Sequence, residues 1–580
     1  MWLIDTTLIE LRLHTRPPPQ SYAILSHTWR EEEEVSFQEF NDIETRSKKK
    51  GFIKISAVCK LARLRGLKWC WVDTCCIDKT SSAELSEAIN SMFRWYKESA
   101  VCFAYLRDLL PEALEERTSS LDQELANCAW FRRGWTLQEL IAPSSLEFYD
   151  RDWNLRGSKA ELVDILHRIT GVSTRVLKNS DHLRETPVGT RMSWAADRQT
   201  KRVEDIAYCL LGIFDIYMPL IYGESERAFI RLQEEIIQVN HDLSIFAWKA
   251  EPNGQRFRGL LAQSPSEFRH CRDARLSYHL NVNTDYSITN RGIQFDTGLG
   301  RDSDGNYLLL LGCTLRDEGN SNSMDRGIEN NKGSVGVYLK RTPKYELVRA
   351  NPDKLHTDTG RTNPITPQHA SMRIHIARNL STYDSLTLEE QLRLSIWIGS
   401  SSLSFYIESA GPGDAWDAHS QMFTTMADHS FTGYCRLRIP AQSQSSQEYI
   451  LICGLVQTPS TEMNSVRVND EGFHVRPWCH IISQSSNMWS AFSDLTKGYG
   501  AQDLLHLRNM VDRNFGLNKR PLGKYTPGTT SGTVLVLAWA EREKNHGLWS
   551  FRIQLSMDTL KKGLPFRKPG LSSKWKNFRV

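Results

Sequence analysis

Apolar and polar positions recur at two different periods along the first 150 residues, and the switches between them mark strands and helices. After the Pro17-Pro18-Pro19 breaker, Tyr22-Ala-Ile-Leu-Ser26 is a short apolar run that predicts a buried strand. Residues 53–65 set Ile53, Ala57, Leu61 and Leu64 at helical spacing, with Gly66 as the stop. Trp69-Cys-Trp-Val-Asp73 predicts a second buried strand with a polar end. Ser81-Ser-Ala-Glu84 has the spacing of a capping box, and Leu85, Ile89, Met92, Phe93 and Tyr96 form the stripe of the helix that follows. Val101-Cys-Phe-Ala-Tyr-Leu106 and Leu146-Glu-Phe-Tyr149 are two further strands, separated by a helix over residues 135–141. Strands and helices alternating at this rhythm imply an α/β domain whose parallel sheet is covered by helices on both faces.

From about residue 155 to 250 the pattern turns helical. Val203, Ile206, Ala207, Leu210 and Leu211 make one stripe; Phe229, Leu232, Ile236 and Val239 make another, after the Tyr222-Gly223 punctuation. Beyond about 255, strand-like runs begin at Tyr307, Gly336, Tyr449 and Thr533, separated by polar stretches such as 318–333 and 442–447. These read as a largely antiparallel, β-rich region with long loops. The expected organisation is an α/β domain over 1–150, a helical segment over 151–250 and a β-rich region over 251–580, of one or two subdomains.

Bulk properties add limits. A chain of 580 residues is too long for one ordinary core. Apolar content of 40% and charged content of 24% are those of a soluble globular protein. A net charge of +4 over this length gives no reason to expect a nucleic-acid partner. Met1-Trp-Leu-Ile-Asp5 lacks the charged and apolar regions of a secretory signal, and no run reaches the roughly 18 apolar residues of a membrane span. The 12 cysteines form no Cys-x-x-Cys pair, so neither a zinc site nor a disulfide framework is expected. Cys70, Cys102 and Cys453 lie in apolar runs, where a reduced thiol acts as a small hydrophobe. A cytoplasmic location is the expectation.

In parallel sheets ligands bind beyond the carboxyl ends of the strands. Ser26, His27 and Trp29 follow the first strand, and Asp73 and Asp78 follow the second; all of these residue types also serve ordinary loops. On the 135–141 helix, Glu139 lies four residues after Trp135, on the same side at about 3.6 residues per turn. Leu137, Leu140 and Ile141 form the opposite, core side. Glu139 therefore reads either as a partly desolvated carboxylate beside an indole or as a surface residue of an amphipathic helix. No Gly-x-Gly-x-x-Gly and no phosphate-loop pattern occurs. The acidic run at 31–34 and the Lys48-Lys-Lys50 run read as solvated, and the basic, aromatic tail at 561–580 as a flexible end or a contact for anionic lipid or nucleic acid.

The first 250 residues resemble the heterokaryon-incompatibility (HET) domain proteins of fungi. The match rests on Tyr22-Ala-Ile-Leu-Ser-His-Thr-Trp29, Trp71-Val-Asp-Thr-Cys-Cys-Ile-Asp78 and Trp130-Phe-Arg-Arg-Gly-Trp-Thr-Leu-Gln-Glu139, continued by Met192-Ser-Trp, Arg202-Val-Glu-Asp and Pro219-Leu-Ile-Tyr-Gly-Glu224. The family usually has Gly where Arg30 stands, and a second Gly where Ser225 stands. The resemblance implies a role in self/non-self recognition, in which the activated domain triggers cell death. HET domains are in turn similar, more distantly, to TIR domains, whose NAD-cleaving members carry a catalytic Glu on the corresponding helix; that role falls here on Glu139.

Cleavage of nicotinamide from NAD releases a leaving group that is already cationic, so no general acid is required. What needs stabilising is oxocarbenium-like charge on the ribose, and one carboxylate in a partly dry site can supply it. On this reading NAD is a substrate, with no resident cofactor and no metal. Trp29 and Trp135 stack on nicotinamide or adenine, while Ser26, His27, Asp73 and Asp78 orient hydroxyls or phosphates. The implied partners are further copies of the chain on activation and an incompatibility protein. The alternative is a non-catalytic signalling module that assembles partners, with the C-terminal region as sensor.

Overall fold

The computed structural model describes residues 1–15, 21–111, 120–252, 254–276, 285–301, 307–315, 334–342, 347–357, 372–391 and separate segments between 394 and 558. The N-terminal sheet consists of β1 (Trp2–Asp5), β2 (Leu11–Leu13), β3 (Tyr22–His27), β4 (Trp69–Trp71), β5 (Val101–Tyr105), β6 (Leu146–Tyr149) and β7 (Leu155–Ser158). Their order is β2-β1-β4-β3-β5-β6-β7. The inner four strands are parallel, as the alternation of strand and helix predicts. β1 runs antiparallel to β4, β2 to β1, and β7 to β6, so the sheet is mixed rather than parallel throughout. The three reversed strands are the ones the pattern did not predict. Each is short, and an antiparallel neighbour joins a sheet without the crossover helix that makes a parallel unit conspicuous in sequence.

β3 is the first of the four parallel strands in the chain; β4 then lies on one side of it and β5 on the other. The crossover direction therefore reverses at β3, the position at which open α/β sheets bind ligands. All six residues of β3 are buried. Three helices matter to this end of the sheet: α1 (Gly51–Leu64), α2 (Ser82–Glu98) and α3 (Thr136–Ile141).

α1 stops at Gly66, whose φ of +73° suits glycine. Its buried face is Ile55, Val58, Cys59 and Ala62, not the predicted stripe: Ile53 is 65% exposed and Leu64 73% exposed. Both sets have helical spacing, and the face with the smaller side chains is the one turned inward, where the helix meets β3 and β4. In α2, Ser81 caps the Glu84 amide at 3.3 Å, but the Glu84 carboxylate accepts from the Asp78 amide at 3.0 Å, so only half of the predicted capping box forms. Ile89, Met92 and Tyr96 are buried as expected, with Ala88 and Trp95 joining them, while Leu85 and Phe93 pack at the core's margin.

Beyond β7 the chain is helical to about residue 246, ending in α4 (Arg227–Val239) and a 3-10 turn. Ala207, Leu210 and Leu211 are buried but Val203 is exposed; Phe229, Leu232 and Ile236 are buried but Val239 is exposed. Ile206 is half-buried, and in each stripe the exposed residue is the terminal one.

The chain forms two compact units, one of residues 1–254, 258–340 and 347–379, the other of 255–257, 341–346 and 380–580. The first unit holds a second, mainly antiparallel sheet that includes Tyr307–Leu310 and Val335–Arg341. The second holds two five-stranded sheets containing Gln447–Thr458 and Thr533–Arg542. Every strand run predicted after residue 255 is thus a strand. The loop at 318–333, most of that at 442–447, and the tail at 561–580 lie outside the described residues. Cys70, Cys102 and Cys453 are fully buried. No helix among the described residues is long and apolar enough to cross a membrane.

Candidate functional site

Strand geometry sends Ser26 and His27 to opposite faces of the sheet, and each gathers its own set of polar partners. On one face, α3 packs against β3 with all six of its residues buried. Glu139 is 2% exposed, which excludes the surface reading of this residue. The Trp130 indole donates to Ser26 Oγ at 2.7 Å, and Ser26 Oγ contacts Glu139 Oε2. An indole N–H only donates and an ionised carboxylate only accepts, so Ser26 accepts from Trp130 and gives its one hydroxyl proton to Glu139. Burial pushes the Glu139 carboxyl up to about 7, against the opposing pull of the Arg133 charge; nearby Asp73 adds to the rise, and Ser26 and Tyr96 restrain it.

α3 is held at both ends. Behind its C-terminus the buried Lys159 ammonium donates to the carbonyls of Leu140 (3.1 Å), Ile141 (3.4 Å) and Pro143. This satisfies acceptors a helix end leaves open and sets a positive charge against the negative end of the dipole. At the N-terminal end Thr136 Oγ1 donates to the Arg133 carbonyl at 2.9 Å, and Arg198 Nη1 donates to the same carbonyl at 2.9 Å and to Thr136 Oγ1 at 3.0 Å. Gly134, just before the helix, lies so close to the next segment that a Cβ there would meet Thr200 Cγ2 at 2.6 Å and Cys209 Sγ at 3.1 Å. That close approach explains the glycine in Arg-Arg-Gly-Trp.

His27 sits between two partners of opposite character. Its Nε2 is 3.0 Å from Asp73 Oδ1 and its Nδ1 is 3.1 Å from Lys54 Nζ. An ammonium can only donate and a carboxylate can only accept, so the ring is neutral, with its proton on Nε2. Burial and the Lys54 charge both disfavour the imidazolium, against the pull of Asp73, and the net shift of His27 is downward. Asp73 Oδ2 also accepts from the Trp29 indole at 2.9 Å and lies 3.9 Å from Arg133 Nη2. Burial opposes ionisation of Asp73, but the His27 hydrogen bond and the neighbouring positive charges prevail and hold it down to about 2. Lys54 is ion-paired with Glu34, and Arg133 donates to the His27 carbonyl at 2.8 Å.

Of the residues singled out from sequence, Ser26 joins Glu139, and His27 joins Asp73 and Trp29. Asp78 and Trp135 stand apart. Asp78 Oδ1 accepts from Gln38 Nε2 (2.6 Å), the Thr80 amide (2.9 Å) and Thr80 Oγ1 (2.6 Å), organising the turn before α2. Trp135, half-buried, turns to Asp205, so the indole serving the Ser26–Glu139 pair is that of Trp130. Trp130, Arg133 and Lys54 were not picked out by sequence; the first two lie within the Trp130–Glu139 motif, and no spacing rule links Lys54 to His27. No group of three or more His, Cys, Asp or Glu among the described residues is arranged to hold a metal.

The two departures from the HET pattern differ in consequence. Arg30 has an extended backbone (φ −122°), which asks for no glycine, and its side chain reaches Glu33 at 3.4 Å. Ser225 has φ +52°, a conformation natural to glycine. Ser225 and Gly223 donate their amides to the same Glu204 oxygen, at 3.1 and 2.7 Å, so the turn is enforced despite the serine.

Residues 22–127 match the family described as heterokaryon incompatibility protein (HET), and residues 227–256 match a domain of unknown function, DUF8212. A curated relative, the vegetative incompatibility protein HET-E-1 of Podospora anserina, is 48% identical over 222 residues, covering 38% of this chain and 16% of its own length. The chain thus spans about a sixth of that relative. No solved structure matches. With β3 and the strand-end residues through Asp78 inside the matched segment, residues 22–127 of this chain are a heterokaryon-incompatibility (HET) domain.

Proposed function

We propose that the chain is an effector of self/non-self recognition whose HET domain, TIR-like in its chemistry, triggers regulated cell death by cleaving NAD at the bond to nicotinamide when copies of the chain assemble. The observation that carries the reading is Glu139: a buried carboxylate, its pKa raised to about 7, packed against the strand at which the crossover direction reverses. In the reaction the ribose C1′–N bond breaks with its electron pair going to the nicotinamide nitrogen. The oxocarbenium-like ribose is stabilised by the Glu139 carboxylate, and water adds to C1′ and loses a proton, giving ADP-ribose. A charge so placed in a low-dielectric site is worth about 3–4 kcal/mol of barrier by analogy with an oxyanion-hole donor. Ser26 keeps the carboxylate oriented by donating to it.

A second reading has its own support. Glu139 is almost wholly buried and bonded to Ser26, as suits a structural residue of a non-catalytic module that signals by assembling partners. Expression of wild type, Glu139→Ala and Glu139→Gln in a fungal host, with cellular NAD and oligomeric state measured together, separates the two. The enzymatic reading expects NAD depletion and death to be lost together in both variants. Death retained in assembled variants without NAD loss supports the module reading.

A further inference from the structure

The Trp29 ring carries two cations: Lys79 Nζ lies 3.8 Å from its centroid and Arg133 Cζ 4.9 Å. The electron-rich face of an indole attracts positive charge but does not neutralise it. The carboxylates nearby are already engaged. Asp73 accepts from His27 and Trp29 and faces Arg133, and Glu34 is paired with Lys54. Lys54 and Arg133 thus have carboxylates beside them, Arg133 acting on Glu139 as well as on Asp73, while Lys79 has the Trp29 ring. Lys79 is the exposed one, and among the described residues its ammonium has no hydrogen bond or ion pair. At the same strand end Thr74, the residue after Asp73, buries a hydroxyl with no hydrogen-bond partner. The cluster therefore offers an ammonium with no ion pair and a spare hydroxyl, at the carboxyl end of the strand pair where such sheets take ligands.

We infer that Lys79 and Arg133, gathered at Trp29, bind the diphosphate of a dinucleotide. The inference rests on the NAD reading for the identity of the ligand and on the cluster for its phosphate chemistry. It changes the part given to Trp29: the ring holds the cations that meet phosphate instead of stacking on a base. A diphosphate supplies the negative charge that Lys79 lacks, and Arg133 has N–H groups beyond the one it gives to the His27 carbonyl.

Calorimetric titration of the full chain with ADP-ribose and with inorganic pyrophosphate, alongside the kinetics of NAD consumption, provides the test. Lys79→Gln is expected to weaken ADP-ribose about tenfold, to flatten the salt dependence of its binding, and to put the kinetic loss on KM rather than kcat. Glu139→Gln is expected to lose turnover yet bind ADP-ribose as the wild type does. Unchanged ADP-ribose affinity in Lys79→Gln overturns the inference, as does a wild type that binds neither probe. Weakened ADP-ribose binding in Lys79→Gln by a protein that never consumes NAD upholds the phosphate site and overturns only the cleavage reading.

Discussion

The Ser26 hydroxyl donates to the carboxylate of Glu139, 113 positions later in the chain, and accepts from the Trp130 indole. Ser26→Ala removes both contacts. It leaves a buried indole N–H without a partner, and the expected destabilisation is about 1–3 kcal/mol by urea unfolding. Because the Ser26 bond favours the ionised carboxylate, the same change should move the Glu139 carboxyl further above about 7, read by carbonyl NMR of labelled Glu139.

Glu139 makes stability depend on pH in a definite direction. Its folded pKa of about 7 lies above the ordinary 4.5, so the native state holds the proton longer than the unfolded chain. Its favourable contribution is complete below pH 4.5 and is lost as the pH rises to about 7, a change of about 3 kcal/mol at about 1.4 kcal/mol per pH unit. Denaturant unfolding of Glu139→Gln should lack this loss between pH 4.5 and 7. A variant with the wild-type slope would place the pH dependence elsewhere.

Lys159 gives the opposite trend at higher pH. Burial lowers it from 10.5 to about 8, so between these values the unfolded chain binds more protons and stability rises with pH. Lys159→Met removes the ammonium from three carbonyls behind α3. It should cost about 1–3 kcal/mol at pH 7, and the rise between pH 8 and 10.5 should vanish.

At Ser225 the backbone predicts a gain. With φ at +52°, Ser225→Gly relieves a left-handed conformation and should stabilise the protein by about 1 kcal/mol, whereas Ser225→Ala should not. Differential scanning calorimetry of the two variants distinguishes this from a side-chain effect.

How far the sequence could be read follows from which interactions are local. β3, β5 and β6 announce themselves as apolar runs because they are buried on both faces, while β1, β2 and β7 join by antiparallel pairing, which needs no crossover helix to mark it in the sequence. The α1 stripe was misplaced because two faces of that helix carry apolar residues and only contact with the sheet decides between them. Periodicity put Glu139 beside Trp135; the fold instead supplies Trp130 from the preceding 3-10 turn. Lys54 meets His27 from a different helix, 27 residues away, through a contact that exists only once α1 has packed on β3. That position 225 needs a left-handed backbone is visible only in the fold, where its amide and that of Gly223 meet the Glu204 carboxylate.

The pH profile of nicotinamide release by the assembled full chain tests the central claim most directly. If the ionised Glu139 stabilises the ribose cation, the rate should rise through a pKa near 7, and Glu139→Gln should be slower by roughly two to three orders of magnitude. Nicotinamide released by Glu139→Gln at the wild-type rate, or none released by any assembled form of the wild type, would contradict it.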